Sequence, residues 1–258
     1  MNDQIISRRP VGDTLTMIGR SLRLSRRNLD ALLPALLLPV LLMALFVYVF
    51  GGAIHTGTTY INYVVPGIIL LCAGFGSATT AVSVCADMVG GIMDRFQSLP
   101  IASSAVLTGH VAASMARNLL SGALVAGTAL LMGFRPTAGP LAWLAAIGVL
   151  LLFVLALSWL AAVLGLVARS VEAANGFTFL IVFLPYVSSA FVPTATMPGW
   201  LRAVAENQPI TPVIETVRAL LTGTPIGDSA RLAVVWCGSI AIVSFALATW
   251  LFQRRTHR

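Results

Sequence analysis

Six stretches of this chain run for about twenty residues each with a single charge inside them, and only a lipid bilayer suits so much uninterrupted apolar length. The windows are Asp30 to Phe50, Val64 to Ala86, Val106 to Gly133, Pro140 to Val167, Gly176 to Val192 and Leu232 to Phe252, and the internal charge is Arg117. Hydrophobic residues make up 58% of the 258 positions and charged residues 10%. A soluble domain carries about 45–50% and about 25%. The sequence therefore predicts an all-α membrane protein of six transmembrane helices, with one membrane domain over residues 30–258.

An even number of spans places both termini on the same side. Arg8, Arg9, Arg20, Arg23, Arg26, Arg27, Arg95, Arg169, Arg254, Arg255 and Arg258 then share that side, against Arg135, Arg202, Arg218 and Arg231 on the other. Cytosolic loops collect basic residues, so the termini are expected in the cytosol of a bacterial inner or plasma membrane. The first thirty residues lack an apolar stretch ending in a small-residue cleavage site, so no removable signal peptide is expected. Leu15, Ile18, Leu22 and Leu29 recur at helical spacing with arginines largely off the stripe. Residues 1–29 therefore read as an amphipathic helix region lying in the cytosolic interface, with a basic tail as the alternative.

Between the fifth and sixth windows, residues 193–227 contain Pro193, Pro198, Pro209, Pro212 and Pro225 and cannot span. Two short helices are expected there: Trp200 to Glu206, and Pro212 to Leu221 with Thr211 as N-cap and Gly223 beyond. Arg202 with Glu206 and Glu215 with Arg218 are spaced to pair along each helix. Non-spanning backbone at membrane depth survives only when packed in protein or lining a cavity. The segment thus reads as a re-entrant external lid, with Trp200, Asn207, Gln208, Pro209, Pro212 and Arg218 as gate residues. Pro185 is expected to kink the short fifth span.

Every one of the sixteen basic residues is arginine. A P-loop requires a lysine at the phosphates, so this chain is not expected to hydrolyse ATP. Proton-driven carriers place carboxylates within their spans, but here Asp30, Asp87, Asp94, Glu172, Glu206, Glu215 and Asp228 fall at span ends or in loops. A stand-alone carrier or channel is the alternative class. His55, His110 and His257 are scattered, so no metal site is expected, and Cys72, Cys85 and Cys237 read as buried thiols. The arginines flank apolar spans, which points to anionic lipid rather than nucleic acid as their counter-charge.

In the cytosolic loop at about residues 87–105, Ile92, Met93, Phe96 and Leu99 recur at helical spacing before Pro100. They form a ridge for a soluble partner or pack against neighbouring span ends. Gly91, Asp94 and Arg95 complete this candidate coupling segment. Arg117 either reaches the cytosolic headgroups or pairs with a neighbour such as Asp87. Gly74, Gly76, Ser77, Ala78, Thr79, Thr80 and Ser83 suit close helix packing in the second span, with a polar ligand pathway as the alternative. Phe177, Phe179, Phe183 and Tyr186 suit either an apolar substrate path or a lipid-facing belt.

The stretches Asp94-Arg-Phe-Gln-Ser-Leu-Pro100-Ile, Glu206-Asn-Gln-Pro-Ile-Thr-Pro212 and Val217-Arg-Ala-Leu-Leu-Thr-Gly223 carry a resemblance. Over nearly its whole length the chain resembles the membrane subunit of type-2 ATP-binding-cassette exporters, of the daunorubicin-resistance permease type. Where many such chains have glutamate then glycine in the coupling segment, this one has Asp94-Arg95-Phe96, with Gly90 and Gly91 upstream. The resemblance implies export of a drug, lipid or glycolipid by alternating access between two membrane subunits, identical or related. It also implies a separate ATP-binding-cassette subunit that binds ATP and magnesium, with no cofactor in this chain.

Overall fold

The computed structural model describes the backbone of residues 29–91 and 103–256 and the side chains of residues 37–91 and 106–254. The connecting helix expected over residues 1–29 and most of the coupling segment, from Ile92 to Leu99, lie outside the described residues.

Among the described residues eight α-helices follow one another: α1 (Leu29–Ala44), α2 (Tyr60–Val89), α3 (Ser103–Leu131), α4 (Pro140–Val167), α5 (Val171–Phe183), α6 (Gly199–Asn207), α7 (Ile210–Thr222) and α8 (Ser229–Thr256). A π-helical turn, Leu45–Phe50, extends α1, and a 3₁₀ turn, Leu184–Val187, extends α5. The expected window Pro140 to Val167 coincides with α4. Helices α2 and α8 run a few residues past their windows at both ends, whereas α3 stops at Leu131, short of Gly133, and α5 with its 3₁₀ turn starts earlier than expected and stops at Val187, short of Val192.

Among the described residues three helices are long and apolar enough to cross a bilayer: Tyr60–Val89, Pro140–Val167 and Ser229–Arg254. The segments Leu37–Phe50 and Val171–Val187 are apolar but shorter. Helix α3 has 29 residues, about 43 Å at the α-helical rise, but Arg117, Asn118 and a scatter of serine, threonine and glycine dilute its hydropathy.

The helices arrange around α2, whose most apolar stretch is 72% buried, against 50% for α4 and 22% for α8. Lipid is as apolar as leucine, so small residues rather than hydrophobicity decide how closely helices approach. A side chain at Gly67 would meet Ala190, its Cβ 2.7 Å from that of Ala190, and one at Gly76 would overlap the Asn118 carboxamide. Beside Gly76 a polar knot joins three helices: Ser158 Oγ on α4 donates to Ser114 Oγ on α3 at 2.9 Å, Asn118 Nδ2 donates to the Ser114 carbonyl at 3.0 Å and Oγ at 3.2 Å, and Ser77 Oγ on α2 lies 3.5 Å from Asn118 Nδ2. Gly76 and Ser77 of the second span therefore pack, as one sequence alternative held, though Ala78, Thr79 and Ser83 also line a cleft described below.

The bundle has two distinct ends. At one, His110 Nε2 meets Asp87 Oδ2 at 3.1 Å, and the buried Cys85 thiol points at the Ala168 carbonyl. At the other, the Arg135 amide donates to Asn62 Oδ1 at 3.1 Å, and the Thr137 amide to the Leu221 carbonyl at 3.0 Å. The short helices α6 and α7 belong to this second end and cap it.

Helix α7 starts two residues earlier than expected, with Pro209 at its N-cap position. Thr211 is not the cap. Its hydroxyl donates to the Ala205 carbonyl at 2.6 Å and ties α7 to α6. Gly223 closes the helix in the left-handed region at φ +70°, which glycine adopts at least cost. Pro185 does not kink a continuing helix: α5 ends at Phe183 and tightens into the 3₁₀ turn.

Candidate functional site: a cleft between α2 and α5 beside a two-helix cap

Helix α5 begins cleanly because Ser170 Oγ accepts from the Ala173 amide at 3.2 Å, as a serine N-cap should. Its next three turns present Asn175, Thr178, Phe179, Val182 and Phe183 along one side, and Tyr186 follows in the 3₁₀ turn. Facing them on α2 are Phe75, Ala78, Thr79, Val82 and Ser83. The two faces enclose a lateral cleft of about 720 Å³. Among the described residues its walls are apolar and aromatic, with hydroxyls and one carboxamide and no carboxylate.

Phe179, Phe183 and Tyr186 thus share one site, while Phe177 does not join them. Phe177 points toward a separate hollow with Leu166, Ala168 and Arg169. Rings continue the wall upward. Centroid separations are 6.2 Å for Phe179 to Phe183, 6.0 Å for Phe183 to Tyr186, 5.3 Å for Tyr186 to Phe191 and 4.3 Å for Phe191 to Phe46. An aromatic ladder therefore links α5 to the end of α1.

The polar groups of the cleft bond along their own helices. Thr79 Oγ1 donates to the Gly76 carbonyl at 2.7 Å, Ser83 Oγ to the Thr79 carbonyl at 2.9 Å, and Thr178 Oγ1 to the Asn175 carbonyl at 2.9 Å. Back-bonding of this kind uses the hydroxyl proton and leaves oxygen lone pairs facing outward. Arg117 reaches across from α3, its Nη2 donating to Thr79 Oγ1 at 3.2 Å. Asp87, suggested earlier as a partner for Arg117, meets His110 Nε2.

The cap is bonded quite differently. Arg218 turns inward: Nε donates to the Tyr63 carbonyl at 3.0 Å, Nη2 to the Ser189 carbonyl at 2.6 Å, and the guanidinium stacks 3.7 Å above the Tyr63 ring. The expected pairing of Glu215 with Arg218 is not made. Glu215 Oε2 accepts from Ser229 Oγ at 3.2 Å on another side of α7, because burial against α2 pulls the arginine fork toward carbonyls. Burial draws the Arg218 pKa below the ordinary arginine value, with Tyr63 and Glu215 opposing.

Gln208 Nε2 donates to the carbonyls of Leu184 and Val187, fastening the cap to the end of α5. Pro212 is buried at the start of α7, and Asn207 Nδ2 donates to the Ala203 carbonyl within α6. Trp200 is 73% exposed and Pro209 only positions the α7 start. The spaced pair Arg202 and Glu206 does form, Nε to Oε1 at 2.7 Å. The Arg202 hydrogen bond holds the Glu206 carboxyl below the usual carboxylate range.

The sequence reading missed Phe75, Asn175 and Thr178 as cleft residues and Tyr63 as the seat of Arg218. A signal existed: Phe75, Thr79 and Ser83 on α2 and Asn175, Thr178, Phe179, Val182 and Phe183 on α5 are stripes at helical spacing, each mixing hydroxyl or carboxamide with aromatic residues.

The sequence pattern of the ABC-2 type transporter family matches residues 13–222. The chain is 30% identical over 235 residues to the daunorubicin resistance ABC transporter permease protein DrrB1 of Streptomyces coeruleorubidus, covering 90% of this chain and 83% of that protein. It is 25% identical over 250 residues to the probable doxorubicin resistance ABC transporter permease protein DrrC of Mycobacterium tuberculosis, covering 96% and 91%. This bundle of apolar helices, with its lateral cleft and capped end, belongs to the ABC-2 type transporter family as the membrane subunit of a type-2 ABC exporter.

Proposed function

We propose that this chain moves a hydrophobic or amphipathic substrate, such as a drug, lipid or glycolipid, out of the cytosol by alternating access, and that the α2–α5 cleft is part of the route. The cleft of about 720 Å³, walled by Phe179, Phe183 and Tyr186, is the observation that carries this reading. It has the size and apolar lining of a drug-sized ligand site. The relatives are described as daunorubicin and doxorubicin resistance permeases, which favours the same substrate class here.

In this reading α1 to α5 and α8 make six spans, and the arginine distribution sets both termini and the His110–Asp87 end in the cytosol. The cap is then external, a re-entrant gate over the route. A second membrane subunit covers the exposed sides of α1 and α5, where Leu41 is 55% exposed and Phe179 66%. A separate ATP-binding-cassette subunit binds ATP and magnesium and docks on the segment from Gly91 to Leu99. The absence of lysine from the whole chain supports placing hydrolysis in that partner.

A reversible block tests the route. Ser83→Cys with Asn175→Cys, joined by a bifunctional thiol reagent in the complex with its ATPase, should arrest ATP-dependent efflux of daunorubicin and of a fluorescent phospholipid. Cleavage of the bridge should restore it. Undiminished efflux of both probes at complete cross-linking would remove the cleft from the pathway.

A further inference from the structure

Among the described residues every polar group on the cleft wall is uncharged, and bonding within the helices fixes what each can still offer. Ser83 Oγ and Thr178 Oγ1 give their protons to the Thr79 and Asn175 carbonyls, so toward a ligand each is an acceptor. Thr79 is already satisfied. Its proton goes to the Gly76 carbonyl, and its oxygen receives Arg117 Nη2 from α3, a guanidinium that does not line the cleft. The Asn175 side chain makes no hydrogen bond among the described residues, and its carboxamide presents one acceptor oxygen and one donor nitrogen.

These groups gather at one end. The Cys85 thiol points at the Ala168 carbonyl, which sets the inner part of α2 beside the chain just before α5. Ser83 stands about 3 Å along α2 from Cys85, and Asn175 about 8 Å along α5 from its Ser170 cap. Phe75 and Phe183 stand about 15 Å and about 20 Å from the same two points. The cleft is thus amphipathic along its length, with neutral acceptors and a carboxamide at the inner end and rings at the outer end.

A ligand carboxylate or ammonium would find no opposite charge on this wall, and an uncompensated charge in an apolar surround costs far more than a neutral hydroxyl. Hydroxyl groups meet all that is on offer: they donate to Ser83 and Thr178 and bond in either sense with Asn175. We infer that the cleft takes an uncharged amphiphile whose head carries several hydroxyl groups, such as a sugar, held by Ser83, Asn175 and Thr178, with its apolar body along Phe179, Phe183 and Tyr186. This inference rests on the cleft being a ligand site. The head can belong to a resident bilayer lipid or to an exported molecule, since the same chemistry recognises both.

The test uses the complete complex, with its ATPase and second membrane subunit, in phosphatidylcholine nanodiscs. Spin-labelled lipids of identical chains compete for the protein: a monoglucosyl diacylglycerol, its fully O-methylated ether, anionic phosphatidylmethanol and a cationic trimethylammonium lipid. Wild type should prefer the glucosyl lipid to each of the others by about tenfold, the scale of two ordinary hydrogen bonds. Ser83→Ala and Asn175→Leu should each lower the preference by roughly threefold, and the double variant should erase it. Ser83 is half-buried and Asn175 exposed, so neither change disturbs the helix core.

A wild type that binds the anionic or the cationic lipid as well as the glucosyl lipid overturns the inference. So does a preference that survives O-methylation, where the head keeps its size and loses its donors, or one that survives the double variant. Among supporting results, ATP-driven transfer of the glucosyl lipid between leaflets marks an exported substrate, and retention without transfer marks a resident lipid. Efflux that survives the Ser83–Asn175 bridge sinks the pathway while leaving this headgroup preference intact, so the two ideas fail separately.

Discussion

The cap and the cleft sit next to each other and are built on opposite plans. In the cap, polar side chains tie separate elements together: Thr211 joins α7 to α6, Gln208 joins the cap to the end of α5, and Arg218 joins α7 to α2 and to Ser189. Its apolar residues Ile210, Val213, Ile214, Val217 and Leu221 are buried. In the cleft, the hydroxyls bond within their own helices, and Phe179 and Phe183 stay 66% and 52% exposed. One region spends its polarity on fixing positions, the other leaves its surface available. Fixed contacts and open surface are thereby separated along a single helix, α2, which contributes to both.

The largest expected effect comes from breaking the cap. Arg218→Ala strands the Tyr63 and Ser189 carbonyls and empties the space over the Tyr63 ring, which should cost about 3 kcal/mol. A thermal melt of the purified protein should show it, and Arg218→Lys should recover only part, because a lysine cannot replace the fork. A melt unchanged in Arg218→Ala would mean that the cap is not held by this residue and the contrast is wrong.

A smaller stability effect and a larger functional one are expected in the cleft. The double variant Phe179→Ala, Phe183→Ala loses stacking worth about 1 kcal/mol, so the melt should barely move. Efflux by the complex should nevertheless fall by at least about tenfold, the equivalent of one well-buried aromatic contact. If the melt fell as far as in Arg218→Ala, the cleft rings would be structural and the comparison would lose its meaning.

The smallest effect is assigned to the rim of the cap. Arg202 and Glu206 are half-exposed, and pairs of that kind contribute little. Glu206→Gln should leave the melting temperature within measurement scatter at neutral pH. Because the folded Glu206 pKa is depressed, its contribution is complete above the ordinary glutamate value and is lost as the pH falls through the depressed one. Any difference between wild type and Glu206→Gln should therefore vanish in acid, and a difference that grew in acid would contradict the assignment.

These contrasts were legible in the sequence to different depths. Proline spacing marked α6 and α7 as non-spanning, and glycine at 223 marked the α7 end, because those residues act through their own backbone. The i,i+4 pair Arg202 and Glu206 was equally local. Glu215 and Arg218 were misread because a three-residue spacing says nothing about Tyr63, which lies 155 positions away and captures the guanidinium. The aromatics of α5 were recognised, but their facing wall was not. Thr79 and Ser83 look like packing residues on their own and become cleft residues only when α5 is laid beside them. Span count was legible only in part: among the described residues Tyr60–Val89, Pro140–Val167 and Ser229–Arg254 are long and apolar enough to cross a bilayer, and Leu37–Phe50 and Val171–Val187 are apolar but shorter.

Gly74 and Gly76 lie two residues apart on α2, yet nothing stands within 4 Å of a methyl group added to the first, while one added to the second collides with Asn118. In a library of natural or engineered variants these neighbours should therefore have unlike histories. Position 74 is open to drift toward alanine, whereas position 76 stays fixed unless residue 118 shrinks at the same time. A pair of compensating changes at 76 and 118 would be the genetic trace of α2 and α3 touching at that height, readable from population sequences before any further structure is solved.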